Sequence, residues 1–87
     1  MKRNKDSQSY VKFIKVIDII VRNSDEKHPI TVKEIQQQLE LFKYDFQVDY
    51  RLVDKYVKYY NDCYDDNIIQ SFKSGRNRYY YFTNTII

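Results

Sequence analysis

The sequence predicts an α+β domain in which three helices are followed by a β-hairpin. Three observations predict it. Apolar residues recur at helical spacing in three separate stretches. A capping signature, Thr31-Val-Lys-Glu34, opens the second of them. The single glycine, Gly75, falls between two strand-like runs, where a hairpin needs a residue with positive φ. The 87 residues suit one small domain with its own core, and a hydrophobic fraction of 43% with 17% aromatics argues against disorder.

Residues 1–8, MKRNKDSQ, are polar and are expected to form a flexible start, with the folded domain over 9–87. The first helix is expected over 9–23. Tyr10, Phe13, Ile14, Ile17, Ile20 and Val21 give it a core stripe, and Lys12, Lys15, Asp18 and Arg22 a polar face. Val16 and Ile19 widen the apolar arc. That width implies either deeper burial or a homodimer contact through this helix.

A loop, NSDEKHP, follows. Pro29 keeps His28 out of helical geometry, and Ile30 is placed to pair as a short strand. In the capping box the Thr31 hydroxyl accepts from the Glu34 N–H and Glu34 reaches back. Val32, Ile35, Leu39 and Phe42 then form an inner stripe, with Lys33, Gln36, Gln37 and Gln38 facing out. The helix is expected to end near Leu41 to Lys43, and a turn over 42–48 leads to a third helix over 49–62. Asp49 is its expected N-cap. Val53, Tyr56, Val57 and Tyr60 form its inner face, while Arg51, Asp54, Lys55 and Lys58 lie opposite.

A hairpin is expected over 67–83, with NIIQSFK and RYYYFT as strands and the turn within SGRN. Ile69, Tyr80 and Phe82 then share one face, expected to pack inward. Phe72, Tyr79 and Tyr81 share the other.

The net charge of +3 is mild, so its distribution matters more than its total. Lys73, Arg76 and Arg78 cluster on the hairpin with no acid after Asp66. One cysteine, Cys63, excludes an internal disulfide and is expected as a small core or boundary residue. No signal peptide or membrane-spanning stretch is visible, since Asp18 and Arg22 interrupt the longest apolar run, and a cytoplasmic location is expected. The single histidine, His28, has no metal-ligand spacing around it, Asp65-Asp66 reads as a solvated loop, and one glycine cannot build a phosphate loop. No enzyme, metal or cofactor is therefore expected.

Three helices and a basic hairpin in this order suggest a winged helix-turn-helix, with double-stranded DNA as the partner. Tyr50 and Arg51, in the first turn of the third helix, are the candidates for base contact. Arg51 suits a bidentate pair with guanine. Lys55 and Lys58 farther along, and Lys73, Arg76 and Arg78 on the wing, are the candidates for phosphates. Thr31 and Lys33 would meet a phosphate at the start of the second helix.

The stretches KVIDIIVRNS, DEKHPITVKEIQQQL, VDYRLVDKYVKYYND and RNRYYYF together resemble the N-terminal winged-helix domain of WYL-type, DeoR-like bacterial transcriptional regulators. The resemblance covers about residues 10–83. It implies sequence-specific DNA binding, commonly as a dimer, ahead of a ligand-sensing region. Leu52 stands where family members carry Thr, and Tyr56 where they carry Asp, which removes an implied phosphate contact. The chain stops where a sensing region would begin, so it is expected to be an isolated domain or a stand-alone small protein, bacterial or phage-encoded.

Asp49 and Asp54 flank Arg51, and a carboxylate at a helix N-terminus stands where a phosphate would come. These acids and the tyrosine-rich hairpin support an alternative, a protein–protein interaction module such as a phage-encoded inhibitor or antirepressor. One continuous positive face across the third helix and hairpin favours DNA; a broken face with exposed tyrosines favours protein.

Overall fold

Amphipathic helices and an alternating hairpin have one common way to hide their apolar faces, which is against each other. The computed structural model, which describes residues 5–83, shows this arrangement. The elements are α1 (Lys5–Asn23), β1 (Ile30–Thr31), α2 (Val32–Leu41), α3 (Tyr50–Tyr64), β2 (Ile69–Ser74) and β3 (Asn77–Phe82). The strands form one antiparallel sheet in the order β1-β3-β2. The domain is α+β, three helices and three strands, and is compatible with a winged-helix-like fold.

The core lies where α1 crosses α2, α3 and β3. Val16, Ile20, Ile35, Leu39, Val53, Ile69 and Tyr80 are fully buried there. Burying a Val- or Ile-sized side chain contributes roughly 1.5–3 kcal/mol each.

The inner face of α1 differs from the expected stripe. Val16 and Ile19 are buried, whereas Tyr10 and Ile14 are 70% and 53% exposed. The apolar arc is wider than the surface its neighbours cover, so periodicity alone does not set the helix rotation. The width that suggested a dimer contact, Val16 and Ile19, is used within one chain. The helix also begins at Lys5 rather than residue 9; of the expected flexible segment, residues 1–4 lie outside the described residues.

The capping box forms as expected. Thr31 Oγ1 accepts from the Glu34 N–H at 3.2 Å, and Glu34 Oε1 accepts from the Thr31 N–H at 3.0 Å. Phe42 closes α2 as its C-cap and is 61% exposed, outside the core stripe expected to include it. Gln36, expected on the outer face, turns inward: its Nε2 donates to the Phe46 carbonyl at 3.2 Å and its Oε1 accepts from the Val48 N–H at 2.8 Å. One amide thereby holds the turn between α2 and α3.

Asp49 caps α3, its Oδ1 accepting from the Leu52 N–H at 2.9 Å. The helix runs on to Tyr64, past the expected end, and stops where Asp65 adopts a left-handed conformation, φ 51°. Cys63 is therefore on the helix and exposed, not in the core. The hairpin turns at Gly75-Arg76, with Ser74 opposite Asn77. Gly75, φ +62°, sits at the first central position, where a two-residue type II′ turn requires glycine. Ile69 and Tyr80 are buried and Phe82 packs on the core, as alternation predicts.

Candidate nucleic-acid interface

The candidate residues collect on three neighbouring surfaces. Strand alternation puts Lys73 and Arg78, directly opposite each other, on the sheet face that looks toward α3. The α2–α3 turn brings the start of α3 up to the same place. The result is a cleft of about 750 Å³ between α2, the first turn of α3 and the hairpin. Thr31, Lys33, Tyr50, Lys73, Arg76 and Arg78 all line it. Its charged lining is basic in balance, with Lys33, Lys73, Arg76 and Arg78 against the carboxylates of Glu40 and Asp49.

Arg51 and Lys55 border an adjoining groove with Gln47 and Leu52. Lys58 lies apart, in a polar groove that also holds Asp54 and Asp62. Asp62 beside it lowers the positive potential that it offers a phosphate.

Arg78 and Asp54 change character in three dimensions. Arg78 Nη1 donates to Asp54 Oδ2 at 2.8 Å, and the Tyr80 hydroxyl donates to Asp54 Oδ1 at 2.6 Å. Both ionic side chains are about one-third exposed, at 35% and 34%. The Arg78 guanidinium also lies 5.2 Å from the centre of the Tyr50 ring, which Arg51 approaches at 5.7 Å. Arg78 thus ties the hairpin to α3 rather than standing free. Asp54, which the sequence placed as an acid flanking Arg51, has its charge met by Arg78 and Tyr80. Tyr50 has two guanidiniums within about 6 Å of its ring centre and remains 46% exposed. The Arg51 Nε donates to the Tyr50 hydroxyl at 3.4 Å, which favours its cationic form further.

The hydroxyl and carboxylate of the capping box are committed to each other. Thr31 therefore has little left for a phosphate, and Glu34 puts negative charge at the N-terminus of α2. Lys33 is exposed and remains available.

Burial, followed by the Asp54 carboxylate beside it, pushes the Tyr80 hydroxyl far above the ordinary tyrosine range. Burial moves Tyr56 in the same direction. A raised value means that the folded chain holds a proton the unfolded chain releases. The stabilisation is complete below about pH 10, the ordinary tyrosine value, and is lost as the pH rises above it. Above that point each such group is expected to steepen the decline by up to ~1.4 kcal/mol per pH unit. Urea unfolding across the alkaline range should show a shallower decline for Tyr80→Phe than for wild type; equal slopes would contradict this.

Among the described residues, no group of three or more His, Cys, Asp or Glu side chains could hold a metal ion, and no helix is long and apolar enough to cross a membrane. Comparison with protein-family models, curated proteins and solved structures finds no match.

Proposed function

We propose that the protein is a winged helix-turn-helix domain that binds double-stranded DNA and regulates transcription in the cytoplasm. In this reading α3 enters the major groove, and the β2–β3 hairpin is the wing. One observation carries it: Lys33, Lys73 and Arg76 converge with Tyr50 on a single cleft at the first turn of α3, with Arg51 adjoining. Helices of this type reach base edges with their N-terminal residues, while flanking elements follow the backbone. Of the two acids that oppose this role, Asp54 is engaged by Arg78 within the fold, while Asp49, the N-cap of α3, stays in the cleft. The similarity to WYL-type regulators belongs to the same proposal.

Arg51 and Tyr50 take the base-contacting role, and Lys33, Lys55, Lys73 and Arg76 neutralise phosphates. Fluorescence titration against random duplex at low salt tests the proposal, and absence of binding there would sink it. Arg51→Ala is expected to weaken discrimination at one base pair by about 5- to 150-fold, given roughly 1–3 kcal/mol for a bidentate contact. An unchanged base preference in selected duplexes would remove Arg51 from that role.

The second reading, a protein-interaction module, is favoured by the outer sheet face. There Phe72, 43% exposed, stacks on Tyr79 at 5.1 Å between ring centres, with Tyr81 at 6.2 Å. Cross-strand aromatic pairs also stabilise a hairpin by themselves, which makes this the weaker reading.

A further inference from the structure

We propose that the groove between α1 and α3 is a docking site for an acidic amphipathic helix of a partner protein. It lies on the flank of α3 away from the hairpin cleft and shares one proposed duplex cation, Lys55, with the duplex reading.

The groove is about 680 Å³ and mainly apolar. Phe13 and Tyr56, in edge-to-face contact at 5.4 Å, form its floor with Leu52. Tyr10 and Tyr59 rise on either side, 70% and 49% exposed, so two large rings face water where a packed surface would cover them. Along α3 the lining runs from Leu52 to Cys63. At 1.5 Å rise per residue this is about 16 Å, the length of three helical turns. A groove of that length with apolar anchors on both walls suits the helix-in-groove mode of recognition.

Charge selects the occupant. The described lining holds two lysines, Lys12 and Lys55, and no carboxylate. Among the described residues neither has an ion-pair partner. Both lean over aromatic rings, Lys12 at 5.6 Å from Phe46 and Lys55 at 5.9 Å from Tyr59. The rim is therefore cationic around an apolar floor. The complementary ligand places Leu or Phe on one stripe of a helix and Glu or Asp along its borders.

The test uses fluorescence polarisation with two labelled, Ala-rich helical peptides of about four turns. They share one leucine stripe; one is bordered by Glu and the other by Lys. The Glu peptide is expected to bind and the Lys peptide not. Tyr59→Ala, at a half-exposed position that leaves the core intact, is expected to weaken binding about tenfold, as truncating a central aromatic anchor does. The double reversal Lys12→Glu/Lys55→Glu, checked for folding by circular dichroism, is expected to invert the preference between peptides. Equal binding of the two peptides, binding of neither, or indifference to Tyr59→Ala would overturn the proposal. So would sedimentation showing a homodimer that Tyr59→Ala dissociates, because the occupant would then be a second copy of the chain.

Discussion

Asp54→Ala is expected to lower the melting temperature by roughly 10–20 °C, the change that about 2–3 kcal/mol produces in a domain of this size. The larger part comes from Tyr80, whose ring is fully buried and whose hydroxyl donates to Asp54 at 2.6 Å. A hydrogen bond to a charged acceptor contributes roughly 1.5–3 kcal/mol, and without Asp54 the hydroxyl keeps only its long contact to the Tyr50 carbonyl at 3.4 Å. The ion pair with Arg78 adds less, because both partners are about one-third exposed and water screens them; such pairs contribute roughly 0–1 kcal/mol. Asp54→Asn keeps an acceptor for Tyr80 and is expected to lose less. Because the groups share one network, Tyr80→Phe combined with Asp54→Ala should cost less than the sum of the two single changes. An Asp54→Ala protein melting within a few degrees of wild type would show that the hairpin and α3 are held together without this cluster.

Duplex affinity should fall by roughly 150-fold between 50 and 200 mM monovalent salt, the loss expected when about four phosphates are neutralised and the log–log slope is about −3.6. The four cations are Lys33, Lys55, Lys73 and Arg76, since Arg51 is assigned to a base. Arg78 is left out because Asp54 already engages it, and Lys58 because Asp62 borders its groove. Polarisation titrations at several salt concentrations give the slope directly. A slope of about −5.4 would return Arg78 and Lys58 to the backbone contacts. One near zero would mean that phosphates are not the ligand. Lys73→Ala and Arg76→Ala should each make the slope shallower by about one.

The elements were legible in the sequence where local chemistry decides them. Thr31 and Glu34 set the start of α2, Asp49 caps α3, and Gly75 occupies the hairpin turn. Each is a choice made within a few residues. The rotation of α1 was not legible. Its apolar arc exceeds the face that α2, α3 and β3 cover, so Tyr10 and Ile14 read like core residues. At the site, the sequence names the basic hairpin and the first turn of α3 as separate duplex contacts, and their convergence on one cleft is a three-dimensional fact. The partnership of Arg78 with Asp54 spans 24 residues and has no local signature. A signal for it existed: the alternation that turns Tyr80 and Phe82 inward turns Arg78 inward too. Cluster chemistry then reverses the meaning of Asp54, from an obstacle beside Arg51 to an anchor for the hairpin.

The inward turn of Gln36 bears on how binding is switched off. Its contacts to the Phe46 carbonyl and the Val48 N–H are made by an electrically neutral amide. Neither salt nor pH near neutrality alters such a group, whereas salt screens every cation proposed to face the duplex. The angle between α2 and α3 is therefore insulated from the ionic conditions that govern the ligand. On the proposed reading, a rise in salt would release a duplex while α2 and α3 keep their relative setting, ready to rebind.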